Sequence, residues 1–418
     1  MKDFLNKIKS HCASIFKKIY RRTISLLKKI KHYSPTTPSA ERAWNVPLKT
    51  RQKMIQKSKA AGKKIAISIY PYADATFRYR CYNPYLATKK SKSWQLIYYQ
   101  IDELRTILSV LPQANLLILM RLPNSPEVEK LINAAREQDL KIVFEIDDRI
   151  CHHSFLPVFK KSLQIAPKDY AFWEKYVANY ESVAVQADAF LTTNSTLSAD
   201  LSSTFHKPAQ TIPNTFNAEQ LAASKRAITK TTKTRTGNNV FRLGYFSGSA
   251  THNADLALIA TPLAKFLQNH PNARLLLAGH ITPPSALKPV ESQIEHFKFT
   301  DYLTLQATIA SVDVNLVPLV QNRFTDCKSE LKYFEAAIVN VPTIASPTAV
   351  YSAAIKNSKT GFLCTTDAEW LNALEKLYND PALRKAIAKN ANKHAKTTYY
   401  GPAYLKAIES AYDTIVKA

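Results

Sequence analysis

Short apolar runs alternate along this chain with longer amphipathic stretches, the rhythm of strands joined by helices. Ile65–Tyr70, Leu116–Met120, Lys141–Ile146, Phe190–Thr193 and Gln210–Pro213 form a first series, with a helix predicted from Pro126 to Gln138. These runs are apolar throughout rather than alternating, which predicts parallel strands covered on both faces of their sheet. A polar stretch rich in Lys, Thr and Ser then interrupts the pattern, and residues 223–239 read as an interdomain linker. Beyond it the rhythm restarts with Phe241–Phe246, Arg274–Ala278, Val314–Pro318, Thr343–Ala345 and Phe362–Leu363. From Ala368 the chain reads as helical to its end, broken at Gly401-Pro402. The expected fold class is α/β in two domains, residues 61–222 and 240–385, followed by helices over 386–418 that can cross back to the first domain. A chain of 418 residues is too long for one ordinary core and suits this division.

The first sixty residues are different. Leu5, Ile8, Cys12, Ile15, Ile19, Leu26 and Ile30 fall on one helical stripe, with lysines and arginines over much of the remainder. Residues 1–33 thus predict a basic amphipathic helix able to lie on an anionic membrane surface. Residues 34–60, opening with Pro and Ser/Thr, read as a linker. This tail carries most of the chain's charge: residues 1–64 hold 18 Lys or Arg against Asp3 and Glu41, out of a formal net +25. The body is near ordinary in charge, so nucleic-acid binding, the usual inference from a basic chain, is not expected. No long uninterrupted apolar run predicts a membrane-spanning helix. Five scattered cysteines form no C-x-x-C pair, so neither a zinc site nor a disulfide framework is expected, and a cytoplasmic setting is the simplest reading.

Candidate chemistry gathers at predicted strand ends. After Phe241–Phe246 comes Ser247-Gly248-Ser249, then Thr251 and His252, where backbone amides, hydroxyls and an imidazole suit phosphate oxygens, or else form a plain capped turn. Lys328 and Lys332 lie four apart, as on one helix face, and can reach a diphosphate. Glu335 can accept two hydrogen bonds from a vicinal diol, or simply pair with those lysines. Asn340 falls at a helix-to-strand turn that calls for a left-handed residue. Beyond Lys141–Ile146, the pair Asp147-Asp148 is followed by Arg149, His152 and His153. Neighbouring side chains on a strand point apart, so one Asp is expected to cap or to pair with Arg149 rather than to share a metal. His152 or His153 is a candidate general base or acceptor contact. Arg78 and Arg80, interleaved with Tyr79 and Tyr82, suit sugar or phosphate contacts on a loop, suit nucleic acid equally well, or else simply pack a surface loop.

Taken together, Lys328–Pro347, Gly244–Asp255, Ile212-Pro213-Asn214 and Thr360–Leu363 resemble the group 1 (family 4) retaining nucleotide-sugar glycosyltransferases, over roughly Lys63 to the C-terminus. The resemblance implies the B-type glycosyltransferase fold, two Rossmann-like domains facing across a cleft. It implies a nucleoside-diphosphate sugar as donor, no metal or other cofactor, and an acceptor that is a surface glycan or lipid-linked. Donor contacts would come from Gly248, Ser249, Thr251, His252, Lys328, Glu330 and Glu335, with Glu335 on the ribose. Arg78, Arg80 and Asn214 would face substrate, and His152, Asp148 and Lys328 the reacting centre. The family's paired glutamates are spaced so that the first would fall on Cys327, a departure that keeps a catalytically silent scaffold as the alternative. The Glu145–Asp148 stretch and the Arg78–Arg80 region resemble bacterial surface-polysaccharide enzymes, which implies a peripheral position on the inner face of the cell membrane.

Overall fold

The computed structural model describes residues 44–234, 240–248 and 253–417, so the expected amphipathic helix at 1–33 and its following segment to residue 43 lie outside the described residues. Two six-stranded sheets organise the chain. The first comprises β1 (Lys64–Tyr70), β2 (Trp94–Gln100), β3 (Leu116–Met120), β4 (Ile142–Glu145), β5 (Ala189–Thr192) and β6 (Ala209–Thr211), in the order β2-β1-β3-β4-β5-β6. The second comprises β7 (Phe241–Ser247), β8 (Ala273–Gly279), β9 (Ile294–Phe297), β10 (Val314–Val317), β11 (Thr343–Ala345) and β12 (Phe362–Leu363), in the order β12-β11-β10-β7-β8-β9. Every strand pair is parallel. Helices cover both faces, and the central strands are buried along their length, as their uniformly apolar sequences require.

Two strands escape the reading of the sequence. β2 is Trp-Gln-Leu-Ile-Tyr-Tyr-Gln, an edge strand whose apolar face is aromatic and whose Gln95 is buried by hydrogen bonding to Thr88 Oγ1 and Leu96 O. β9 is a short, half-exposed edge strand with little apolar pattern to see. The expected linkers also change. Leu48–Ala60 is a helix docked on the first sheet: Arg51 pairs with Glu103 at 2.5 Å and donates to Tyr98 O, and Ile55 is buried. Most of 223–239 is likewise helical, since Ala218–Thr234 forms one helix. Lys225, Arg226, Thr229 and Lys230 face solvent, while Gln220 and Ser224 are held inside by hydrogen bonds.

At the far end, Gly401, with φ +70°, and Pro402 turn the chain into a last helix, Pro402–Lys417. That helix packs on the first domain, not the second. Tyr404, Ile408, Ala411, Tyr412 and Ile415 join the N-terminal core, and Asp413 accepts from Lys64 Nζ (2.9 Å) and Trp94 Nε1 (3.0 Å). The two domains are therefore tied at both the crossover and the terminus. No helix among the described residues is long and apolar enough to cross a membrane.

Candidate functional site

In each sheet the strand order reverses beside the first strand: β1 lies between β2 and β3, and β7 between β8 and β10. Connections on either side of such a point leave in opposite directions and open a crevice at the carboxyl edge, where α/β sheets bind ligands. The two crevices face each other. Lys328, beyond β10, places Nζ 3.4 Å from Oδ1 of Asp148, beyond β4, and Arg121, beyond β3, approaches Asp148 at 3.8 Å.

The segment after β10 explains how the C-terminal side is built. Asn322 caps a one-turn helix, Arg323–Asp326, by accepting from the amides of Phe324 and Thr325, while Thr325 returns a bond to the Asn322 amide. The chain leaves the helix through Cys327–Glu330 and enters a second one, Leu331–Ala337, that ends before Asn340, whose φ is +60°. Lys328 and Lys332 thus stand on different elements rather than on one helix face, because the capped first turn ends before Lys328. Lys328 reaches across to Asp148 and lies over the Phe324 ring at 4.5 Å. Lys332 points inward instead.

Lys332 is the electrostatic anomaly of this site. Its Nζ is shielded from solvent and has no hydrogen-bond partner among the described residues; the nearest aromatic centre is Tyr245 of β7, at 5.2 Å. Desolvation lowers its pKa from 10.5 to about 8, opposed by Asp255 and Glu335 and reinforced by Lys328. One turn along, Glu335 is 4% exposed and anchored by the first domain. Its Oε1 accepts from Tyr79 Oη at 2.5 Å and from Gln220 Nε2 at 3.0 Å, with Arg78 Nη2 at 3.7 Å. Arg78 is itself clasped between the rings of Tyr79 (4.1 Å) and Tyr302 (4.2 Å). The other carboxylate oxygen, Oε2, takes no hydrogen bond among the described residues. One oxygen fixes the side chain and the other is left to accept.

Other expected donor contacts fall differently. Glu330 is buried against Tyr399, whose hydroxyl donates to it, and desolvation pushes its pKa up. Gly248 sits at the end of β7, where an added Cβ would come 3.2 Å from Phe299. Ser249, Thr251 and His252 lie outside the described residues. Gly244 is inside β7 rather than in the turn; a side chain there would strike Phe246 and Val312. The glycine that the turn region does need is Gly279, at φ +108°, where a Cβ would meet Ser247 O at 1.8 Å.

On the first-domain side, Arg78 and Arg80 occupy a continuous helical segment, not a loop, and each is 4% exposed. Arg80 is spent internally: it pairs with Glu145 and donates to Ile212 O (2.7 Å), Asn214 Oδ1 (3.0 Å) and Thr192 O (3.2 Å). It pins the ends of β4, β5 and β6, and takes Asn214 with it, so neither is presented to substrate. Asp147 pairs with Arg121 at 2.9 Å, not with Arg149, because Arg149 turns to Asp200 at 2.6 Å. His152 packs on Phe155 and Phe205, and its ring nitrogens meet Ser154 (2.8 Å) and Glu181 (3.3 Å), all first-domain residues. With His153 and Glu181 it makes a three-residue group of metal-type ligands within the first domain.

Sequence reasoning also missed a clasp across the cleft. Asp200 holds Arg149 of its own domain and Arg323 of the other, and Asn194 Nδ2 donates to Cys327 O at 2.8 Å. Cys327 Sγ lies 3.7 Å from Asp200. Asp200 sits mid-helix in Ser195–Phe205 with no local motif to mark it.

Residues 240–380 match the family model described as glycosyl transferases group 1. A curated relative, glycosyltransferase 1 domain-containing protein 1 of Xenopus tropicalis, is 27% identical over 151 residues, which is 35% of this chain and 42% of the relative's own length. Among solved structures, Anabaena HepE in complex with UDP and glucose superposes with a TM-score of 0.58 at 13% identity, over 85% of this chain and 100% of that one. Sucrose-phosphate synthase of Thermosynechococcus elongatus gives 0.56 at 13%, over 85% and 100%. WaaG, a glycosyltransferase involved in lipopolysaccharide biosynthesis, gives 0.54 at 15% with the same coverage. At these identities the superpositions establish the fold. Residues 240–380 carry the sequence signature of the group 1 glycosyl transferases, within a chain folded as the two facing Rossmann-like domains of B-type glycosyltransferases.

Proposed function

We propose that this protein is a retaining glycosyltransferase that moves a sugar from a nucleoside-diphosphate donor to a surface-glycan or lipid-linked acceptor. The observation that carries the reading is the shielded, unpartnered ammonium of Lys332 beside a carboxylate held by one oxygen only. A shielded ammonium with no hydrogen-bond partner is costly, and a diphosphate entering between β7 and the helix Leu331–Ala337 supplies the missing acceptors. Glu335 Oε2 then accepts from a ribose hydroxyl.

In the transfer, the bond between the anomeric carbon and the diphosphate oxygen breaks as the acceptor hydroxyl oxygen bonds to that carbon. The hydroxyl proton passes to the departing diphosphate. Lys332 acts where negative charge grows, on the leaving oxygen, in a site that excludes water and so strengthens the interaction. Asp148 and Lys328, paired across the cleft, border the space where donor and acceptor meet. The HepE complexes with UDP and with UDP-glucose support a uridine donor, and WaaG's part in lipopolysaccharide biosynthesis supports a surface-glycan acceptor. The basic tail, residues 1–33, would hold the enzyme to the cytoplasmic face of a membrane.

Thermal shifts against UDP, ADP, GDP and their sugars test the donor half. The wild-type chain should be stabilised by one nucleotide family, and Glu335→Gln, which retains the Tyr79 contact, should weaken that binding more than tenfold, about 1.4 kcal/mol. The reading fails if no nucleoside diphosphate shifts the wild type, or if the variant binds equally well.

A further inference from the structure

Three of the six large hydrophobic residues exposed among the described residues gather at one end of the first domain: Tyr72 (39%), Tyr170 (37%) and Phe172 (42%). Tyr170 and Phe172 open the helix Tyr170–Ala184, and Tyr72, just beyond β1, lies near enough to Tyr176 of that helix for the two phenols to interact electrostatically. The rings do not stop at the surface. Phe172 contacts Trp173 (5.4 Å) and stacks on Tyr176 (6.2 Å); Trp173 meets Phe159 (5.0 Å), and Phe159 meets Phe324 of the second domain (5.4 Å). Phe324 lies under the ammonium of Lys328, at the catalytic cleft. Ring contacts through the buried Phe159 and Phe324, each 3% exposed, therefore tie the exposed face rigidly to the cleft wall beside Lys328.

The patch is also basic. Between Leu156 and Tyr176 the sequence has Lys160, Lys161, Lys168 and Lys175 against Asp169 and Glu174. Lys160 lies over the Tyr170 ring at 4.1 Å and pairs with Glu174. Aromatic rings interleaved with lysines suit the headgroup level of a bilayer, where ring bodies enter the acyl boundary and ammonium groups meet anionic lipid. Phe172, the most exposed of the three, has no polar atom with which to bind a sugar hydroxyl, so a lipid surface fits it better than a glycan.

We propose that this aromatic–lysine face, Tyr170–Tyr176 with Tyr72 at its edge, rests on an anionic bilayer and holds the enzyme where a lipid-linked acceptor meets the cleft. The inference rests on the lipid-linked form of the acceptor reading above, and it is separate from the tail. Tryptophan fluorescence tests it. The chain has four tryptophans, none in the first 43 residues; Trp44, Trp94 and Trp370 are 6%, 0% and 2% exposed, which leaves Trp173 as the one at the surface. The full chain is mixed with vesicles of equal parts phosphatidylglycerol and dibrominated phosphatidylcholine. Trp173 emission should shift to the blue and be quenched, the Trp173→Phe variant should lose the quenching while still sedimenting with vesicles, and Tyr170→Ser with Phe172→Ser should lower vesicle affinity about tenfold.

Sedimentation with vesicles but no quenching would mean that the tail alone binds, and would overturn the proposal. So would absence of binding, or light scattering that shows a dimer abolished by the same two serines. Nucleotide thermal shifts should be unaffected by Tyr170→Ser and Phe172→Ser, so a failure here is distinguishable from a failure of the donor reading.

Discussion

Replacing Lys332 with methionine would distinguish a ligand-binding cation from a structural one, because the two roles give opposite signs. The side chain is of similar length, and the space it fills adjoins Tyr245 on an otherwise dry helix face. In the free protein the ammonium is unpaired and its pKa falls from 10.5 to about 8. At about 1.4 kcal/mol per unit, that depression costs the folded state on the order of 3 kcal/mol near neutral pH. Methionine removes the cost, so the free variant should melt higher than the wild type, by several degrees for a stabilisation of this order. Nucleotide binding should move the other way. Loss of a charge-assisted contact to phosphate in a shielded site weakens affinity by roughly 2–3 kcal/mol, about thirty- to a hundred-and-fiftyfold.

The pH dependence has a definite sign. The folded pKa is depressed, so above about 8 the folded protein has released a proton that the unfolded chain keeps up to 10.5, and stability rises with pH across that window. Diphosphate affinity, which needs the ammonium form, should be flat below pH 7 and fall toward tenfold per unit above about 8. Calorimetry of UDP binding between pH 6.5 and 9.5, with melting curves of free wild type and variant, gives all three quantities. A Lys332→Met protein that melts lower and binds UDP with unchanged affinity and pH profile would refute the reasoning.

Two further outcomes follow from the first domain and the clasp. Arg80→Met leaves Glu145 buried without its partner and should destabilise by about 3–5 kcal/mol in urea unfolding, yet leave UDP affinity of the folded protein unchanged; reduced affinity at full folding would return Arg80 to the substrate site. Asp200→Asn weakens the hold on Arg149 and Arg323 and should enlarge the radius of gyration in small-angle scattering at low salt, with a stability change below about 1 kcal/mol. An unchanged radius would show that the domains are held by the crossover and terminal helix instead.

The fold was legible because its central strands are fully buried, and full burial writes itself as uninterrupted apolar runs such as Leu116–Met120 and Leu275–Leu277. Edge strands are not under that requirement. β2 carries two glutamines and packs by rings, and β9 is half exposed, so neither shows the aliphatic signal. Helices such as Leu48–Ala60 and Ala218–Thr234 were hidden for a related reason: they bury few residues, and a mostly polar surface helix has the composition of a linker.

The site was legible only by region. Strand ends locate the crevice, since topology dictates where backbone connections part, but sequence spacing does not say which of several cations there has a partner. Lys328 and Lys332 look equivalent on a helical wheel. A cap at Asn322 and a break at Cys327–Glu330 send one to Asp148 and leave the other alone in the interior. Arg78 and Arg80 are likewise two residues apart and chemically identical, yet one clasps toward Glu335 while the other is consumed by Glu145, Thr192, Ile212 and Asn214. What separates each pair is the count of satisfied donors, which depends on residues up to 256 positions away, as in the Tyr79–Glu335 bond. A charge that remains unsatisfied after that count is where an anionic ligand lowers the free energy most, and in this crevice the count leaves Lys332.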